Sequence, residues 1–173
     1  MRSSNRTIQL LAVTAAGCSL ALVGAATAGA APAPDVITGT SGDDRLVGTP
    51  GADEINGLRG ADTLVGRAGA DLLNGGRDPD VLRGGDGRDA LLGGPGMDAV
   101  YGGSGRDQIE PGAHHDLVYS GRGNDTIYFS FFGENQGPDY AHCGGGFDRV
   151  YVEPRSDDEI DDSCERVFVT RPH

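Results

Sequence analysis

The chain has 173 residues, one domain's worth, with 26 Asp and Glu against 14 basic residues and a formal charge of −12. Every basic residue is Arg; Lys and Trp are absent. A surface this acidic repels phosphate backbones and anionic lipid, so it excludes nucleic acid and membrane surfaces as partners and favours cations.

The first thirty residues have a character of their own. Arg2 and Arg6 precede an apolar run over residues 8–23, and small residues follow, ending Ala28-Gly29-Ala30-Ala31. A charged start, an apolar middle and an A-x-A-like exit predict a secretory signal cleaved near Ala28 or Ala30, hence a secreted, extracellular protein. As a membrane anchor the run is short and broken by Thr14, Gly17 and Ser19. A lipoprotein site at Cys18 would need a leading Leu that Ala15-Ala16-Gly17 lacks, and the apolar run continues past it. Removal of residues 1–30 leaves 12 Arg against 26 acids, a charge of −14. It also leaves Cys143 and Cys164 as the remaining cysteines, which in an exported chain predicts a disulfide.

Residues 31–38 form a lead-in, in which Asp35 and Ile37 already anticipate the phase that follows. Residues 39–128 are ten nine-residue units without a gap, GGDGRDALL and GGSGRDQIE being the fullest. The sixth position is always Asp: Asp44, Asp53, Asp62, Asp71, Asp80, Asp89, Asp98, Asp107, Asp116 and Asp125. The eighth is always a branched aliphatic, from Leu46 and Ile55 to Val118 and Ile127. The fourth is Gly except at Asp78 and His114, and the second is Thr40, Thr49, Leu58 and Arg67 before it becomes Gly. Glycine lets the backbone take positive φ and pack closely. The Asp-x-aliphatic-x remainder reads as a short strand with its aliphatic inward and its neighbours outward. Turn, strand, turn, strand makes a parallel coil in which two units, 18 residues, close one rung.

The pattern resembles the RTX (haemolysin-type) calcium-binding nonapeptide, G-G-x-G-x-D-x-U-x. The resemblance covers residues 35–151 and implies an all-β, right-handed parallel β-roll, with the turns of units n and n+2 stacked on one edge. It also implies several Ca²⁺ ions in the turns, carried by the ten Asp named above. Stacking gathers Asp44, Asp62, Asp80, Asp98 and Asp116 on one edge and Asp53, Asp71, Asp89, Asp107 and Asp125 on the other. At a strand spacing of about 4.8 Å, neighbouring carboxylates repel by roughly 1 kcal/mol in water and about 3–4 at an effective dielectric near 20. Ca²⁺ takes six to eight carboxylate and carbonyl oxygens, which Gly-rich turns expose; Mg²⁺ is smaller and holds its water. Ion binding and folding are therefore expected as one event, with affinity in the range of about 10⁻⁴–10⁻³ M of extracellular modules.

Two units depart from the pattern. GGRDPDVLR places Asp78 and Pro79 in the turn before Asp80, and PGAHHDLVY places Pro111, His114 and His115 before Asp116. Adjacent His do not make the usual metal-ligand spacing. Arg59, Arg77, Arg122, Arg88 and Arg106 either relieve turn repulsion or are simply solvated. Residues 129–133, FSFFG, interrupt the phase by five; it resumes in ENQGPDYAH and CGGGFDRVY and decays in a last rung over residues 152–169. Residues 129–173 are expected to cover the open end, with Phe129, Phe131, Phe132 and a Cys143–Cys164 bridge. The rival use of the three Phe is a docking patch for a cell-surface polysaccharide or protein, as in a calcium-dependent adhesion or matrix module. No H-E-x-x-H, G-x-S-x-G or phosphate-loop motif occurs, so no enzyme is predicted.

Overall fold

The computed structural model describes the backbone at residues 19–20 and the chain over residues 34–129, 138–152 and 157–169. The cleavage site expected near Ala28 or Ala30, and Phe131 and Phe132, lie outside the described residues. What is described is a parallel β-solenoid of strands and turns without a helix. One sheet stacks Asp44–Val47, Thr63–Gly69, Val81–Gly87, Ala99–Gly105, Leu117–Gly123, Tyr140–His142 and Glu159–Ile160. The other stacks Asp35–Thr38, Asp53–Arg59, Leu72–Arg77, Ala90–Pro95, Gln108–Ala113, Thr126–Tyr128, Arg149–Val152 and Arg166–Val169. Consecutive strands alternate between the sheets, and neighbours within a sheet run parallel, as a coil with two strands per turn requires. Ser19–Leu20 pairs with the outer edge of Asp44–Val47.

The register puts like on like. Leu46, Leu64, Leu82, Val100 and Val118 stack in one sheet, and Ile37, Ile55, Leu73, Leu91, Ile109 and Ile127 in the other. These two columns are buried and form one continuous core. A strand's period of two places the aliphatic and the Asp two residues before it on the same, inner face. The positions flanking the aliphatic face outward, where stacking of rungs builds aromatic ladders. Tyr101 and Tyr119 stack at 5.4 Å on one sheet, and Tyr128, Tyr151 and Phe168 follow at 4.9 Å intervals on the other.

One expectation changes in detail. From the third unit on, the glycine-rich half is no separate turn: strands such as Thr63–Gly69 continue through it, and Arg67 and Gly69 pair with Gly85 and Gly87 one rung on. Successive rungs repeat the same left-handed conformations, Arg67 at φ 86° and Gly85 at 117°, so their N–H and C=O groups stay in register. From there on the corners are the last two or three residues up to the Asp: positions five and six after strands such as Thr63–Gly69, and four to six after strands such as Leu72–Arg77.

The C-terminal segment continues the coil. The rung spacing lengthens from 18 to 23 residues between Asp116 and Asp139 and between Asp125 and Asp148, the five extra residues of the interruption, without a break in pairing. Phe129 is buried in the core and donates its N–H to the Tyr151 carbonyl at 3.0 Å. It therefore belongs to the cover of the core and not to a docking patch. Cys143 and Cys164 are both buried and joined by a disulfide across 21 residues of sequence.

Candidate metal centre: two columns of buried carboxylates

The ten Asp of the repeats occupy the corners, divided between the two edges as the 18-residue rung predicts. Their burial is the surprise: none is more than 5 % exposed. They do not face one another across open gaps. From Asp62 on, each Oδ1 accepts the main-chain N–H of the Asp one rung earlier, as in Asp62 to Asp80 at 2.8 Å and Asp71 to Asp89 at 2.9 Å. The same geometry runs from Asp44 to Asp116 on one edge and from Asp53 to Asp125 on the other. The Asp carbonyls are also used, for example by the N–H of Val81 on Asp62 and of Ala90 on Asp71. Backbone donors thus offset part of the repulsion that charge counting assigns to the columns.

The columns outrun the repeats. Asp116 donates to Asp139 Oδ1, Asp139 to Asp158 Oδ1, Asp125 to Asp148 Oδ1, and Asp148 to Glu165 Oε2 at 2.8 Å. Asp139 and Asp148 carry the right phase in the sequence once the five-residue interruption is allowed for. Asp158 keeps an aliphatic, Ile160, two residues on and so marks the degenerate last rung in the sequence, whereas Glu165 stands in the column without the Asp that defines it elsewhere.

One oxygen is left over. In the third to tenth units, Oδ2 of Asp62, Asp71, Asp80, Asp89, Asp98, Asp107, Asp116 and Asp125 is buried without a hydrogen-bond partner, as are Oδ2 of Asp148 and Asp158. A buried carboxylate oxygen with nothing positive against it is costly. From Asp62 to Asp107 each faces the bare Cα of its unit's first glycine: a Cβ on Gly57 would collide with Asp62 Oδ2 and with the Gly75 carbonyl oxygen of the next rung. Carboxylate and carbonyl oxygens therefore gather where the first position lacks a side chain.

The charged form is disfavoured accordingly. Burial pushes Asp116 up to about 8, helped by Asp139 and Asp98, against the pull of its backbone hydrogen bond to Asp98. Burial likewise raises Asp80 and Asp107 to about 7, with their column neighbours adding to it, and Asp62, Asp71, Asp98 and Asp148 to about 6. Asp89 and Asp125 are shifted upward by the same cause. A cation beside Oδ2 would reverse these shifts.

The donor set decides which cation fits. Among the described residues no three His, Cys, Asp or Glu side chains converge on one point. An ion would therefore combine corner carboxylates with main-chain carbonyls, an all-oxygen shell suited to Ca²⁺ and unlike the nitrogen and sulfur ligands of structural zinc. His114 and His115 are turned to main-chain oxygens instead, Nδ1 of His115 lying 2.9 Å from the Pro138 carbonyl.

Fold and corner together define a class: a β-solenoid whose buried, under-satisfied carboxylates line its edges in periodic array. The chain belongs to the RTX calcium-binding nonapeptide repeat family, whose model matches residues 38–73, 65–98 and 92–127. No curated protein matches the chain.

Proposed function

We propose that this is a secreted, non-catalytic calcium-binding protein that folds as several Ca²⁺ ions enter its corners. The observation that carries the reading is the set of buried Oδ2 atoms without partners in eight consecutive units. Each is a place where the folded chain is short of positive charge, and Ca²⁺ supplies it along with ligand sites for turn carbonyls. Secretion is supported by the Arg2/Arg6 and apolar pattern of the N-terminus and by a disulfide, which persists in oxidising compartments. Millimolar calcium outside the cell and its scarcity inside would make export and folding one directional step.

A non-catalytic role is supported by the geometry of a cluster, among the described residues, that superficially resembles a relay. Asp161 Oδ1 and Ser163 Oγ lie 3.1 and 3.5 Å from His142, but both approach the same ring nitrogen, Nδ1. A base needs one nitrogen for its orienting acid and the other for its nucleophile. Circular dichroism of the mature chain in calcium and in chelator tests the proposal. Strand signal that appears only with calcium supports it; identical spectra would overturn it.

A further inference from the structure

Two of the ten corners are built differently. Thr40 and Thr49 stand at the second position of the first two units. Thr40 donates both its N–H, at 2.5 Å, and its hydroxyl, at 2.9 Å, to Asp44 Oδ2. Thr49 does the same to Asp53, with its N–H at 2.6 Å and its hydroxyl at 3.1 Å. Each hydroxyl also accepts the N–H two residues on, from Gly42 and Gly51, which locks the turn.

The backbone explains why only these two behave so. From the third unit on, the second position has positive φ, at Leu58 (81°), Arg67 (86°) and the glycines from Gly76 to Gly121. Thr40 and Thr49 are not among the positive-φ residues. A β-branched side chain resists the left-handed region, so Thr selects a turn in which its own N–H reaches the carboxylate. In the other eight units Oδ2 has no hydrogen-bond partner, although in the tenth the Ser120 hydroxyl lies beside Asp125.

We infer that the corners at Asp44 and Asp53 take no divalent cation, because the Thr40 and Thr49 N–H and O–H groups already hold the oxygen that an ion holds elsewhere. The first rung is then a calcium-independent end on which calcium-loaded rungs stack. This rests on the calcium reading above.

Calcium stoichiometry of the full mature chain, measured by isothermal titration, tests it with three variants. D44N/D53N keeps an oxygen for each Thr to donate to and is expected to bind as many ions as the wild type. D71N/D89N, at corners with bare Oδ2, is expected to bind fewer. T40G/T49G restores the glycine of later units and is expected to bind more. Fewer ions in D44N/D53N, or an unchanged count in a T40G/T49G variant with native strand signal, would overturn the inference. Should a variant fail to fold, NMR of the wild type in saturating calcium decides. Thr40 and Thr49 amide protons shifted downfield, as for donors to a carboxylate, support the inference, and their absence there overturns it. A wild type that binds no calcium defeats the proposed function itself; one that binds but loses ions in D44N/D53N defeats this inference alone.

Discussion

The main-chain N–H of Asp62 donates to Oδ1 of Asp80, 18 residues later, while Oδ2 of both residues is buried without a partner. One carboxylate thus does two jobs through two atoms. Oδ1 ties consecutive rungs together, and Oδ2 is left for a cation. Asn and Ala substitutions separate these jobs.

At Asp89, Asn retains an acceptor for the Asp71 N–H and loses the charge; Ala loses both. D89N is expected to destabilise the calcium-loaded chain through loss of the ion, and D89A to lose about 1–3 kcal/mol more, the cost of a buried N–H left unsatisfied. Urea unfolding of both variants in saturating calcium checks this, and equal losses for D89N and D89A would contradict it.

The raised carboxyls make acid a partial substitute for calcium. Folded-state values of about 6 to 8 for Asp62, Asp71, Asp80, Asp98, Asp107, Asp116 and Asp148 lie above the unfolded value of 3.8. The folded chain therefore holds more protons than the unfolded one between about pH 4 and 8. The stabilisation is fully present below the unfolded value and is lost as pH rises through the folded ones. In chelator, strand signal should be stronger at pH 5 than at pH 8, whereas calcium affinity should fall over the same acidification. Circular dichroism and calcium titrations at the two pH values measure both; apo strand signal that rises with pH would be inconsistent with the buried columns.

Glycine at the fourth position is demanded by the neighbouring rung. Gly105 has φ 142°, and a Cβ there would run into the Gly87 carbonyl oxygen. Gly105→Ala should cost about 2 kcal/mol or more, combining left-handed strain with the clash. Leu58, already at φ 81° on an exposed position, should tolerate Gly, with a change within about 1 kcal/mol. Chemical denaturation in saturating calcium compares the two.

The Cys143–Cys164 bridge closes the end of the coil after the five-residue interruption. Removing it with C143S/C164S should lower stability by about 3 kcal/mol for a loop of this length. Reduction of the wild type should reproduce the loss. Urea unfolding with and without reductant measures it, and no difference between oxidised and reduced wild type would show that the bridge adds nothing.

Much of this molecule was legible in its residues. Ten Asp and ten aliphatics in constant phase required a coil with an 18-residue rung, and the interval FSFFG foretold the 23-residue step from Asp116 to Asp139. The pairing of Cys143 with Cys164 followed from there being two cysteines beyond residue 30. These are properties of period and count, which any chain carries in one dimension. Burial of the carboxylates, the use of Oδ1 by the previous rung's N–H, and the closure of Asp44 and Asp53 by Thr40 and Thr49 were decided only by tertiary structure. So was the place of Glu165 in a column otherwise made of Asp. Each depends on which donor lies beside which oxygen after the chain has come full circle, and a hydrogen bond is made or missed within a few tenths of an ångström that no periodicity specifies.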